Sequence, residues 1–101
     1  MASVSKVIIK QQGSKYQWSQ TDESLTIHLP MTNVLMKQID ILYTDLLLKV
    51  NAKSIKYLAA IDFLHEIDHA NAKNRAQLLD GRLEVFLIKK TAGKTWATLE
   101  I

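Results

Sequence analysis

The chain has 101 residues, 48% of them hydrophobic and 23% charged, with a net charge of +3. That is one domain's worth of chain, too apolar for disorder, with no run near the roughly 18–20 apolar residues that span a bilayer. There are no cysteines, which excludes a disulfide framework, a thiolate nucleophile and a thiolate-held zinc, and which suits a reducing, cytoplasmic compartment.

At the N-terminus the apolar run at 7–9, between Lys6 and Lys10, is shorter than the about 7–15 residues of a secretory signal, and residues 1–14 read as a leader to a domain at 15–101. Tyr16-Gln17-Trp18-Ser19-Gln20 alternates aromatic and polar. Leu25, Ile27 and Leu29 then alternate with Thr26 and His28, the period of a half-buried strand, and Pro30 ends it. His28 falls on the polar face and is expected to be exposed. Ile39, Ile41 and Tyr43, then Leu46, Leu48 and Val50, flank Thr44-Asp45 as a hairpin.

The middle of the chain is ambiguous. Residues 54–79 hold neither Gly nor Pro. Ser54 could cap a helix with Tyr57, Ala60, Ile61, Leu64 and Ile67 on one face. The alternation of Ile55, Tyr57, Ala59, Ile61 and Phe63 serves a strand equally well. Beyond Asp68 the sequence turns polar and reads as a loop or a short surface helix. Asp80-Gly81 signals a turn. After it Leu83, Val85 and Leu87 face one side, and Arg82, Glu84, Phe86 and Ile88 the other. Ala92-Gly93-Lys94 turns the chain into a last short segment with Trp96 and Leu99.

His65-Glu66-Ile67-Asp68-His69 matches H-E-x-x-H. On a helix, two His four apart share a face and can hold zinc, with the Glu as base toward bound water. Context argues against it. A strand is at least as good a reading here, the candidate third ligands Asp80 and Glu84 lie on a turn or strand, and a chain of this length has no second lobe for a cleft. His65 and Glu66 are read instead as solvated strand-end residues and His69 as part of a loop. No Gly-rich phosphate loop and no nucleophile elbow is present, so no catalytic residue, metal or cofactor is assigned. The 13 basic residues are scattered, with Lys89-Lys90 the only adjacent pair, so neither nucleic acid nor membrane is an expected partner.

Several runs together resemble a CS domain, the small β-sandwich of co-chaperones of the ninety-kilodalton heat-shock protein and of NudC proteins. They are Tyr16-x-Trp18-x-Gln20, Leu25-x-Ile27-x-Leu29, Asp40-Ile41, Leu48-Lys49-Val50, Ile67-Asp68, Leu83-Glu84-Val85-x-Leu87-x-Lys89-Lys90 and the closing Trp96-x-x-Leu99. The nearest likeness is to the N-terminal CS domains of axonemal dynein assembly factors. The resemblance implies an all-β, seven-stranded antiparallel sandwich, immunoglobulin-like and small heat-shock-like. It implies strand over 54–64, no catalytic residues, and a monomeric interaction module docking on the chaperone or its client, with a NudC-like scaffold for another partner as the alternative. It also implies a docking face. An aromatic of that face falls at Ser19, an apolar residue at Pro30, and a basic and an acidic residue at Arg82 and Glu84. Here the charged half is present and the aromatic half is replaced, so weak docking is expected. Lys89 has the opposite parity and is not expected to join. Trp18 and Trp96 are expected to pack in the core or at its rim.

Overall fold

The computed structural model describes residues 16–101; the leader at 1–14 lies outside the described residues. Among the described residues seven strands follow one another: β1 (Gln17–Gln20), β2 (Ser24–Pro30), β3 (Asp40–Tyr43), β4 (Leu47–Ala52), β5 (Tyr57–Asp62), β6 (Arg75–Leu79) and β7 (Arg82–Ile88). They form two antiparallel sheets, one four-stranded in the order β1-β2-β7-β6, the other three-stranded in the order β3-β4-β5. The expected seven-stranded sandwich is therefore the observed fold.

Alternation decides which side of each strand is buried. In the larger sheet Leu25, Ile27 and Leu29 pair with Leu87, Val85 and Leu83. In the smaller, Leu48, Val50 and Ala52 pair with Ile61, Ala59 and Tyr57. All twelve are buried, and Phe63, Ile67, Trp96 and Leu99 complete the core from the loops. A one-residue slip would turn each set to solvent, so the register is strongly determined.

Two local expectations need correction. The strand expected over 54–64 is shorter. Ser54 lies in a one-turn 3-10 segment, Lys53–Ile55, and Lys56 adopts a left-handed conformation at φ 55°, so β5 starts at Tyr57 and ends at Asp62. The chain must reverse here between β4 and β5, and that reversal overrides the continuous alternation. The second correction concerns β6. The polar stretch after Asp68 is a turn only as far as Asn74; Arg75–Leu79 is an edge strand with just Ala76 and Leu78 facing the core. A strand covered on one side only, with Arg and Gln on the other, carries little apolar signal. Asp80 and Gly81 both have positive φ, 52° and 78°, which is the geometry a tight β6–β7 hairpin needs.

Candidate docking face and the strap behind it

Strand pairing builds one exposed face from residues far apart in sequence. Antiparallel partners share a side of the sheet. The pairs Ser19–Thr26, Thr26–Phe86 and Arg75–Phe86 therefore make one row, Gln17–His28, His28–Glu84 and Gln77–Glu84 the next, and Pro30–Arg82 and Leu79–Arg82 a third. Ser19, Pro30, Arg82 and Glu84 thus lie together on the outer face of the four-stranded sheet. Lys89 does not join them. Its side chain is buried on the other parity, where Nζ donates to Gln20 Oε1 at 2.9 Å and to the Lys94 carbonyl at 2.7 Å.

Glu84 is the hub of this face. Gln77 Nε2 donates to its Oε1 at 2.8 Å, and His28 Nε2 lies 2.9 Å from its Oε2. A carboxylate can only accept, so this His28 nitrogen carries the proton. The Gln77 bond first, and His28 second, hold the Glu84 carboxyl below its ordinary 4.5. His28 is therefore not a free surface imidazole as its parity suggested; it is half-buried against Glu84. The face is not without an aromatic either. Phe86 lies in the same row as Ser19, and the Arg75 guanidinium carbon stacks 4.1 Å from its ring centroid. The resemblance places an aromatic at Ser19 and an apolar residue at Pro30, while the alternation already puts Phe86 on the side of Arg82 and Glu84. Gln77 could not be found from the sequence, because β6 was not recognised as a strand. Arg82 Nε is shielded from solvent and meets no acceptor among the described residues.

The signature residues perform a separate task. The segment after β7 returns along the sandwich and is strapped to β1 and to the end of β5. Gln20 Nε2 donates to the Trp96 carbonyl at 2.8 Å, and Gln20 Oε1 accepts from the Trp96 N–H at 2.9 Å. Tyr16 Oη donates to Glu100 Oε2 at 2.6 Å, and burial together with this bond raises the Tyr16 phenol well above its ordinary value. The Leu64 N–H donates to the Leu99 carbonyl, and the Ile101 N–H to the Asp62 carbonyl. Trp96 is 2% exposed, meets Phe63 and His65 edge to face at 5.9 and 5.4 Å, and Trp18 packs at the rim of the core.

This packing also settles the geometry of H-E-x-x-H. The segment leaves a bend that follows the Phe63–Glu100 bridge, passes through an isolated bridge of Ile67 with Lys89 and ends in a turn at His69, and it is not a helix. His65 is half-buried against Trp96, not solvated as expected, while Glu66 and His69 are exposed, His69 in a turn. A cleft of about 330 Å³ is lined by His65 and Glu66 with Leu46, Leu64, Thr91, Lys94 and Trp96, and not by His69. Among the described residues no three His, Cys, Asp or Glu side chains group as a metal site, and no helix is long and apolar enough to cross a membrane.

A family model described as "CS domain" matches residues 14–89. No curated protein matches the chain. Among solved structures, the nuclear movement protein of E. cuniculi GB-M1 is similar, with a TM-score of 0.69 and 22% identity over 86% of this chain and 99% of that one. The CS-b5R domains of human Ncb5or give a TM-score of 0.70 and 22% identity over 87% of this chain and 25% of that one. Heat shock protein 16.0 of Schizosaccharomyces pombe gives 0.64 and 14%, over 90% and 99% of the two chains. At these identities the structures attest the fold alone. The family match runs over more than half of the chain and carries the assignment: this chain belongs to the CS-domain family.

Proposed function

We propose that this chain is a non-catalytic docking module, at residues 15–101, that binds a protein partner through the outer face of its four-stranded sheet. The single observation behind this is the convergence of Ser19, Pro30, Arg82 and Glu84 on that face, with Phe86 beside them. The partner we propose is the N-terminal domain of a ninety-kilodalton heat-shock chaperone or the client it carries, in the cytoplasm, in the setting of axonemal dynein-arm assembly. Arg and aromatic residues supply most of the energy of protein interfaces, and Arg82, Arg75 and Phe86 supply both kinds here. Ser19 and Pro30 in place of larger anchors keep the affinity low, with a Kd on the order of 100 µM.

Ser19 also favours a second reading, a NudC-like scaffold in which the same face takes a different partner. Isothermal titration separates the two. Binding of the chaperone domain that Arg82→Glu abolishes, with the melting temperature unchanged, supports the first. No heat with the chaperone domain at millimolar concentration rejects it in favour of the scaffold.

A further inference from the structure

The charges on the docking face are not balanced among themselves. Of the strand residues on it, Arg75 and Arg82 are cationic and Glu84 alone is acidic. Each Glu84 oxygen already accepts one bond, from Gln77 and from His28, so part of this acid's charge is answered from inside the domain. The two arginines are differently placed. Arg82 sits between Pro30 and Leu79 and is partly exposed, although its Nε is shielded from solvent and unpaired among the described residues. Arg75 holds its guanidinium carbon 4.1 Å over the Phe86 ring centroid and makes one long bond of 3.4 Å to the Lys73 carbonyl. A guanidinium held over a ring by its carbon still presents its N–H donors along its own edge, where a carboxylate can meet them side-on. Phe86, opposite Arg75, is four residues along β7 from Arg82. At about 3.3 Å per residue this offsets the two arginine positions by roughly 13 Å along the strand direction, on neighbouring strands.

We infer that the docking segment of the partner is an acidic, extended stretch of chain. Two carboxylates four residues apart meet Arg75 and Arg82, and a neutral residue between them passes over the Glu84–Gln77 pair. Spacing of i and i+4 puts both acids on one side of an extended chain and matches the offset of the arginines along the strand direction. A basic segment would meet two arginines and a single acid that already has two partners inside the domain. This inference rests on the proposed docking face and adds the chemistry of what it takes.

The test is an NMR titration of the isotope-labelled chain with capped pentapeptides. Glu-Thr-Gln-Thr-Glu is expected to shift the Arg75, Arg82 and Phe86 signals at millimolar concentration. Gln-Thr-Gln-Thr-Gln and Lys-Thr-Gln-Thr-Lys are expected not to. Arg82→Gln and Arg75→Gln should each weaken binding about threefold, the size of one exposed ion pair, at an unchanged melting temperature. Equal binding of the neutral peptide, shifts confined to the three-stranded sheet, or no shift at all would overturn the inference. The chaperone reading fails separately. Peptide binding without chaperone binding keeps the acidic-segment inference and discards the chaperone. Chaperone shifts on this face with no response to the acidic peptide discard the inference alone.

Discussion

Tyr57 opens β5 at 1% exposure, and its hydroxyl finds no hydrogen-bond partner among the described residues. Burial pushes this phenol up to about 12 from 10.0. The fold thus prefers the neutral form. That preference supports folding below pH 10 and is lost as pH rises toward 12. Removing an unpaired buried hydroxyl is close to neutral or favourable. Tyr57→Phe is therefore expected within about 1 kcal/mol of the parent in urea unfolding, on the stable side, and to lose less stability between pH 10 and pH 12. A clear loss at neutral pH would reveal a role for the hydroxyl. Glu84 has the opposite sign. Its carboxyl sits below the ordinary 4.5, so its contribution is present above that pH and is lost as pH falls through the lowered value. The group is solvated and the effect small, but Glu84→Gln is expected to flatten the acid limb of the stability curve below pH 4.5. An acid limb identical to the parent's would place the acid sensitivity at other carboxylates.

At the scale of elements, the closing strap holds the sandwich shut beside β1. Trp96→Ala removes a side chain that meets Phe63 and His65 in the core, and a loss of about 3–5 kcal/mol is expected in urea unfolding. A loss below about 1 kcal/mol would mark Trp96 as a surface residue. Gln20→Ala breaks both bonds to the Trp96 backbone and strips the buried Lys89 ammonium of one of its acceptors. About 2–3 kcal/mol is expected, because a buried charged donor keeps only the Lys94 carbonyl and both Trp96 backbone groups lose their partner. A change within about 0.5 kcal/mol, as at ordinary surface sites, would show that water replaces the amide. Why some elements could be read from the sequence follows from the same physics. In β2, β4 and β7 alternation and burial agree, since apolar residues at i, i+2 and i+4 all face the core. In β6, Arg75, Gln77 and Leu79 hide the pattern, because an edge strand solvated on one side needs few apolar residues. The 53–56 reversal is set by one left-handed Lys56, which leaves no mark on hydropathy.

At the scale of the molecule, the two sheets differ in what they offer a partner. The smaller sheet carries Asp40, Leu42 and Lys49 on its exposed outer side. The larger carries the stacked Arg75–Phe86 pair and Arg82 around the closed His28–Glu84–Gln77 chain. Parity alone brought Arg82 and Glu84 to one side, and that was readable in the sequence. The same parity placed Phe86 beside them, but the cross-strand rows that add Arg75, His28 and Gln77 come from register and exist only in the folded sheet. The most direct measurement is chemical-shift mapping of the labelled chain with the chaperone's N-terminal domain added to excess. Shifts are expected in the rows of Ser19, Thr26 and Phe86, of His28 and Glu84, and of Pro30 and Arg82, and are expected to vanish in Arg82→Glu with Phe86→Ala. Shifts centred on Leu42 and Lys49 of the three-stranded sheet would contradict the account, and would move the docking surface to the opposite side of the domain.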